Sequence, residues 1–461
     1  MKDEMTEEVT RTLSTFASNL VYEDIPKDVR EKAKVYILDS LGCCIGGYLT
    51  EPGRIVVDLF TSMGGVSESR VLATEQRVPC LHAVYVNAYL SNALDFDDTF
   101  GPWSHPGGMI VSPGLSVAEK VGGISGKDYL AAVVAAYEVT LRVGLAIAPS
   151  PERYKQAWGI STHQIFGSAA VTGRLLSLSP DEMTIAYGFA GNSAPVTHCR
   201  KSGVEIDERP FTWLKNNFGW AAMGGVLAAF LTQKGFLGPR KVLDGERGFW
   251  TMCGSDQCDF EAMVQELGER YLIGETSFKP YASCRWTHST LDAIRDILNT
   301  ELIEPNMVDK IIVRSFLELS HHMVVKHPTN IIDAQFSLPY LIAVTLVGHS
   351  PHKGLFEEDL QDPIISSLSE KVSVEADEEA DRLFLNEKLM PSTVTIRMKN
   401  GREFKSRVEI PRGSPQKLQP LNEQLEKYKF LVSQVLGEEK AIQSMERIME
   451  IEKLHDAASV F

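Results

Sequence analysis

The chain has 461 residues, enough for two ordinary domains, and 44% of them are hydrophobic while 23% are charged, values typical of a soluble globular enzyme. Its 46 basic and 61 acidic residues give a formal net charge of −15, which argues against nucleic acid or an anionic membrane surface as the main partner. A small anionic substrate is not excluded, because a few local cations can dominate one cleft. The N-terminus carries no apolar secretory run and the seven cysteines are scattered, so we predict a reduced, cytoplasmic protein.

Helical periodicity dominates the chain as far as about residue 271. Apolar residues on one helix face predict a helix between residues 29 and 41. Pro180 behind Ser179, followed by two acidic residues, predicts the start of another helix. The apolar stretch 129–148 carries Glu138 and Arg142 at the i,i+4 spacing of an ion pair, which predicts a buried helix of a soluble protein rather than a membrane span.

After about residue 271 the pattern changes to a mixture of strands and helices. Residues 310–316 predict a strand, and alternating apolar residues on both sides of Asn400-Gly401 predict a hairpin whose two turn residues tolerate positive φ. Helices are predicted at 287–300, at 333–347 and again from residue 421 onwards. The predicted fold is therefore mainly α: a large, discontinuous all-α domain (1–271 and 412–461) with a smaller α+β lid domain (272–411).

The densest group of polar residues lies between residues 93 and 108, where three aspartates are followed by Thr99 and by His105 before Pro-Gly-Gly. One interpretation is a general base, His105, that neighbouring carboxylates orient and tune. A second is a solvated loop whose aspartates cap helix ends. A third, a divalent cation site, is less favoured because no other His or Glu stands at ligand spacing nearby.

A second group of polar residues, 277–288, lies where the helical region gives way to the mixed region. Lys279 and Arg285 bracket Cys284, and neighbouring cations would favour the thiolate of Cys284. In the functional interpretation Lys279 binds a carboxylate, and Cys284 or His288 handles a proton. The alternative is a domain junction with an inert buried cysteine and a helix cap at Thr287.

Several common motifs are absent from the sequence. It contains no G-x-G-x-x-G after a strand, no P-loop, no G-x-S-x-G and no H-E-x-x-H, which argues against nucleotide, flavin and structural-zinc enzymes. Lys215, which precedes the apolar segment 218–231, would by itself be read as an ordinary solvated residue.

Taken together, these segments resemble the MmgE/PrpD family, which includes 2-methylcitrate dehydratase, cis-aconitate decarboxylase and iminodisuccinate epimerase. The resemblance runs over essentially the whole chain and is most specific at 93–107, 219–222 and 278–288. It implies a helical domain with an α+β lid, a homodimer, and an active site between domain and lid that uses no cofactor or metal and acts on di- and tricarboxylates.

The resemblance also implies roles for individual residues. Asp95, Thr99 and His105 match the family's catalytic segment, and Lys279 and, with different spacing, Lys215 match its lysines. We interpret His105 as the base, oriented by Asp95, with Thr99 positioning the substrate and the two lysines neutralising its carboxylates. Cys284 is a candidate acid on the opposite face of the substrate, and Arg285 and His288 complete the predicted substrate-binding residues.

Three positions depart from the decarboxylase-type members of the family: Trp158 and Cys284 stand where those members carry histidines, and Val324 stands where they carry a tyrosine. His163 follows five residues after Trp158. We therefore predict dehydration, with epimerisation as the first alternative, then decarboxylation, then a non-catalytic carboxylate binder. A rival from another class is a thiol enzyme in which Cys284 is the nucleophile and His288 its base.

Overall fold

The computed structural model describes residues 8–101, 104–154, 156, 162–196, 205–349 and 357–461. The chain is 60% helix and 8% strand, which confirms the predicted mainly α fold with a smaller α+β part. Its α-helices in the described ranges are α1 (Val9–Asn19), α2 (Lys27–Gly46), α3 (Glu51–Ser62), α4 (Cys80–Ala93), α5 (Pro106–Val121), α6 (Gly126–Ala146), α7 (Pro151–Tyr154), α8 (Ile165–Leu175), α9 (Pro180–Ser193), α10 (Phe218–Gln233), α11 (Phe249–Met252), α12 (Phe260–Val264), α13 (His288–Thr300), α14 (Leu317–His322), α15 (Ile331–Ala334), α16 (Leu338–Leu346), α17 (Pro363–Glu370), α18 (Glu378–Glu387), α19 (Leu421–Leu436) and α20 (Glu438–Met449). The strands are β1 (Ser69–Arg70), β2 (Arg77–Val78), β3 (Val308–Ser315), β4 (Val372–Ala376), β5 (Ser392–Met398) and β6 (Glu403–Val408).

Individual helices of the helical body lie where the sequence predicts them. The predicted stripe between residues 29 and 41 lies in α2, and its apolar side chains are buried. Helix α9 begins at Pro180, and Ser179 caps it in a capping box with Glu182. Helix α19 returns to pack on α2, where a Cβ on Gly42 would come within 2.9 Å of the Tyr428 ring, so this close helix contact requires glycine.

Helix α6 is the core helix of this body. It is the helix in the described ranges that is long and apolar enough to cross a membrane, and 94% of its apolar window is buried inside the protein. Nε of Arg142 lies 3.3 Å from Oε2 of Glu138, and both side chains are buried. The predicted ion pair inside a buried helix is thereby confirmed.

The smaller α+β part of the chain carries a four-stranded sheet in the order β4-β3-β5-β6, with β3 and β4 parallel and the other pairs antiparallel. The predicted hairpin joins β5 to β6, but only Gly401 has a positive φ (85°). Asn400 contributes differently, because its Oδ1 accepts a hydrogen bond from the Arg402 N–H at 3.1 Å.

The helix predicted at 333–347 is wrong in part, because the segment contains the end of α15 and then α16. Pro339 has no N–H to donate to a preceding carbonyl, so the first helix cannot continue through it. Ser337 instead caps α16 by accepting a hydrogen bond from the Tyr340 N–H.

The apolar side chains form two main cores. The first joins residues between Val9 and Phe278 to residues between Tyr428 and Val460. The second joins residues between Cys284 and Val408 to Tyr154 and to Phe211, whose ring stacks on Phe336 at 3.8 Å. The polar segment 277–288 contributes Phe278 to the first core and Cys284 and Trp286 to the second. The domain boundaries at 271 and 412 stay a prediction.

Candidate active site

The loop after α4 brings Thr99 of the first polar segment against Ser277 of the second. Thr99 and Ser277 exchange backbone hydrogen bonds of 2.9 and 2.7 Å. Asp95 in this loop and Lys215 opposite it both have left-handed backbones, with φ of 50° and 45°. A left-handed backbone is energetically unfavourable for a residue other than glycine. Two such residues whose side chains meet therefore indicate that the surrounding fold holds them in a geometry that serves a function.

Asp95 is the centre of a buried cluster of charges. Nζ of Lys279 lies 2.9 Å from its Oδ2, and Nζ of Lys215 lies 3.4 Å from its Oδ1. Burial alone would raise the pKa of Asp95, but the two lysines and His105 outweigh it and hold that pKa below its usual range. Burial, with a smaller contribution from Lys279, lowers the pKa of Lys215 although Asp95 and Asp97 act to raise it. The structure therefore brings the predicted Asp95, Lys215 and Lys279 together.

His105 lies beside a different carboxylate from the one predicted. Its Nδ1 is 3.3 Å from Oδ2 of Asp97, an ion-pair distance without the alignment of a hydrogen bond. Asp97 is fully buried, whereas 14% of the His105 side chain is exposed. The prediction that Asp95 orients His105 is wrong, because the lysines occupy Asp95 while Asp97 faces the imidazole.

Asp98, the third aspartate, serves the backbone. Its Oδ1 accepts from the Gly107 N–H at 2.9 Å, and its Oδ2 accepts from the Tyr137 hydroxyl at 2.8 Å. Burial, and then the neighbouring Asp97 and Asp39, raise the pKa of Asp98 well above its usual range. A Cβ at position 107 would lie 2.6 Å from Oδ1 of Asp98, so the glycine after His-Pro is needed for this contact at the start of α5.

Other side chains near His105 complete this wall of the site. The hydroxyl of Thr99 is buried and has no hydrogen-bond partner among the described residues, which leaves it available to a bound substrate. The backbone N–H of His105 donates to Oε1 of Gln164 at 2.7 Å. Oγ of Ser104 lies 3.0 Å from Nε2 of the buried His163. Trp158, the departure that precedes His163, lies outside the described residues.

Cys284 is buried close to the charge cluster, and its backbone N–H donates to the Gln335 carbonyl at 3.0 Å. Burial raises the pKa of its thiol to about 12; Asp95 adds to that rise, while Lys279 and Lys215 oppose it. The prediction that flanking cations favour the thiolate is wrong, because sequence neighbours do not set the field and burial does. A neutral thiol remains able to donate a proton.

Arg285 and His288 are used inside the protein. Arg285 donates to the Arg412 carbonyl at 2.9 Å and to Oγ of Ser414 at 2.7 Å, and it faces Nδ1 of His288 at 3.0 Å. Nε2 of His288 lies 3.2 Å from the Ser283 carbonyl. Burial and then Arg285 lower the pKa of His288 well below its usual range. These contacts do not support the predicted substrate-binding role, nor a thiol enzyme with His288 as base.

Asp95, Asp97 and His105 offer ligand atoms within 4.8 Å of one another, the spacing of a metal site. The donor set does not suit a divalent cation, since Asp95 already binds two ammonium groups, and a cation would be repelled by their excess positive charge. A cation there would face Lys279 and Lys215 across one carboxylate. These three residues therefore do not favour a divalent cation site.

Sequence reasoning missed three residues of the site. Asn92, in the last turn of α4, donates to both oxygens of Asp97 at 2.9 and 3.1 Å. Oε1 of Gln335 accepts from Nζ of Lys215 at 3.0 Å, and Gln164 binds the His105 backbone. The position of Asn92, three residues before Asp95, was a signal. Neither glutamine has one, because each reaches the site from a distant segment.

Comparison with known proteins matches most of the chain to the two domains of one family. Residues 11–261 match the model of the MmgE/PrpD N-terminal domain, and residues 281–451 match that of the MmgE/PrpD C-terminal domain. The chain is 26% identical over 473 residues to a cis-aconitate decarboxylase of Aspergillus terreus, covering 97% of this chain and 94% of that protein. It is 24% identical over 479 residues to the cis-aconitate decarboxylase of Homo sapiens, covering 98% and 94%. A cis-aconitate decarboxylase-like protein of Aspergillus oryzae is 24% identical over 487 residues, covering 98% and 96%.

Proposed function

Since the chain belongs to the MmgE/PrpD family, we propose that it is a cofactor-independent lyase that removes a proton next to a carboxylate of a di- or tricarboxylate. The general class, a lyase-type enzyme that acts on a carboxylate, is supported by the family and by the relatives. Within this class we propose dehydration. The observation that carries the proposal is the partly exposed His105, backed by Asp97 and adjoining an Asp95 that binds two lysines.

The reaction needs a base and a way to stabilise the carbanion. A proton next to a carboxylate is weakly acidic, and its removal by Nε2 of His105 develops negative charge on the carboxylate oxygens. Lys215 and Lys279, both buried where water screens them little, supply the positive charge that stabilises this enediolate. A β-hydroxyl group then takes a proton and leaves as water, and the electron pair of the broken C–H bond forms the double bond. The Cys284 thiol is the proposed proton donor.

Decarboxylation is the second candidate. The sequence departures rank it last among the catalytic alternatives, but the relatives are named as cis-aconitate decarboxylases or as decarboxylase-like, which raises it above epimerisation. In that reaction the C–CO2 bond breaks first, and the resulting carbanion takes a proton from the enzyme. The same lysines would neutralise the substrate, and His105 would act as acid rather than base. Epimerisation, the third candidate, returns the proton to the opposite face.

One experiment separates these reactions. The purified, metal-free enzyme is incubated in deuterated water with 2-methylcitrate, citrate, cis-aconitate and iminodisuccinate, and proton NMR follows each compound. Dehydration produces a new unsaturated product, decarboxylation releases CO2 and places one deuterium in the product, and epimerisation exchanges the α-proton without net loss. We expect dehydration. Decarboxylation of cis-aconitate alone would replace the dehydratase proposal with the second candidate, and no reaction in the panel would contradict both.

We also propose that the protein is cytoplasmic and forms a homodimer. Its proposed ligand is a small carboxylate. Exposed apolar side chains on two helices support the dimer: Leu59 on α3 and Trp220 on α10 are 51% and 52% exposed. Both helices adjoin Tyr85, which stacks on Phe60 and contacts Gly219, so they share one face. Leu59→Glu with Trp220→Glu should give monomers in analytical ultracentrifugation. Leu302→Glu, at a site 85% exposed, is the control that should not.

A further inference from the structure

One residue at the end of α4 contacts both parts of the proposed site, the part that holds the base and the part that holds the cations. Asn92 is 3% exposed, and its side-chain amide binds Asp97 while its main-chain carbonyl accepts from Nζ of Lys215 at 2.6 Å. Asp97 faces the base His105, and Lys215 is one of the cations. We propose that Asn92 is a positioning residue that keeps the base and the cation in register. The catalytic meaning of this proposal rests on the proposed function.

The amide of Asn92 controls the carboxylate of Asp97. Nδ2 donates to both Asp97 oxygens, at 2.9 and 3.1 Å, which restricts rotation of the carboxylate about its own axis. Nδ2 of Asn216 donates to Oδ1 of Asn92 at 3.2 Å. Because a donor faces Oδ1 and an acceptor faces Nδ2, the amide can take only one of its two orientations. Asp97 is therefore fixed from outside the site.

A fixed Asp97 has a direct consequence for the base. A carboxylate next to Nδ1 of His105 favours the neutral tautomer with the proton on Nδ1, and that tautomer presents the lone pair on Nε2. If the carboxylate turns away, the proton is free to move to Nε2, where the ring can no longer accept a proton from substrate. Asn92 acts through Asp97 and touches no reacting atom in this scheme.

The carbonyl of Asn92 works on the other half independently of its side chain. Lys215 also contacts Gln335 at 3.0 Å and Asp95 at 3.4 Å, so the ammonium group is held by three oxygens. A substitution that removes the Asn92 amide keeps the carbonyl in place. It should therefore disturb the base while leaving the binding of the substrate carboxylate intact, an asymmetry that a general loosening of the fold would not produce.

The test compares Asn92→Leu with Asp97→Asn and with a matched control. Asn87→Leu is the control, because Asn87 is also buried in α4 and its amide binds the Arg70 carbonyl and Ser116, away from the site. Ring 15N shifts of His105, identified by their loss in His105→Gln, report its tautomer at alkaline pH. Steady-state kinetics on the substrate found by the NMR panel report kcat and KM.

We expect Asn92→Leu and Asp97→Asn to move the tautomer towards Nε2–H, and to lower kcat by about tenfold to a hundredfold with KM nearly unchanged. Asn87→Leu should change neither quantity in the folded protein. An unchanged tautomer in Asn92→Leu, or the same change in Asn87→Leu, would overturn the proposal. Should Asn92→Leu not fold, Asn216→Ala removes only the donor that orients the amide and should shift the tautomer in the same direction. The tautomer needs no substrate, so it decides this inference even if the proposed lyase activity fails.

Discussion

Two groups of buried charges in this protein have opposite designs. In α6, Arg142 donates to the carbonyls of Gln265 and Arg270 at 2.6 and 2.9 Å, and Glu138 accepts from the Ile273 N–H at 3.1 Å. Both charged side chains of this pair have hydrogen-bond partners, and these bonds join α6 to segment 265–273. In the proposed active site Asp95 pairs with two lysines, yet His105 keeps an exposed edge and the Thr99 hydroxyl has no partner among the described residues.

The difference separates structural from functional burial of charge. A buried charge with all its hydrogen bonds satisfied has nothing left to offer a ligand, and its removal is felt in stability. A buried cluster that keeps an unpaired hydroxyl and a solvent-facing imidazole is prepared for a further, anionic partner. Substitutions in the two groups should therefore separate into loss of turnover and loss of stability.

The largest effect is expected from His105→Gln. Loss of a general base lowers kcat by about a hundredfold to ten-thousandfold, and His105 is the proposed acceptor of the substrate proton. The melting temperature should stay near that of the wild type, since the side chain is partly exposed. His455→Gln, at an exposed histidine, is the control. Turnover within a few-fold of wild type in His105→Gln would refute the assignment of the base.

Arg142→Met should show the opposite behaviour. It leaves Glu138 buried and uncompensated, so the free energy of unfolding should fall by about 3–5 kcal/mol. Urea denaturation measures this loss, while kcat per folded molecule should stay unchanged. Arg402→Met, which removes an exposed ion pair with Glu301, should cost only about 0–1 kcal/mol. A fall in kcat of the folded Arg142→Met enzyme would break the comparison between the two groups of charges.

Asp98→Asn should have an effect that grows with pH. The raised pKa of Asp98 means that the folded state retains a proton that the unfolded state loses above its ordinary pKa of about 3.9, so wild-type stability falls as pH rises. The neutral asparagine removes this loss, which amounts to at most about 1.4 kcal/mol per pH unit until the folded-state pKa is reached. Thermal unfolding at pH 5 and pH 8 measures the difference. A variant whose stability relative to wild type is the same at both pH values would show that Asp98 is already ionised in the fold at pH 5.

The smallest effect is expected at Cys284. With the pKa of its thiol raised to about 12 by burial, Cys284 should resist alkylation by iodoacetamide at pH 8 in the folded protein and react only in urea. Peptide mass spectrometry identifies the modified residue. Rapid labelling of the native protein would restore the thiol-enzyme alternative. Cys284→Ala should lower turnover less than His105→Gln, because a proton donor to a leaving group is easier to replace by water than a base.

The features that the sequence predicts well are those that depend on neighbours along the chain. The helix at residues 29–41, the capping box at Ser179, the ion pair inside α6 and the hairpin near Gly401 each follow from periodicity or local turn chemistry. The single helix predicted at 333–347 is wrong in part, because one helix ends at Ala334 and another begins at Leu338, next to Pro339.

The amino-acid sequence by itself determined the family, the mainly α fold and the polar segments from which the site is built. Only the tertiary structure decided how those segments share charge: that Asp97 rather than Asp95 faces His105, that Cys284 stays a thiol, and that Arg285 is spent at the junction with Ser414. The physical reason is that electrostatic interaction depends on distance and burial in space, and neither is visible in the spacing of residues along a chain.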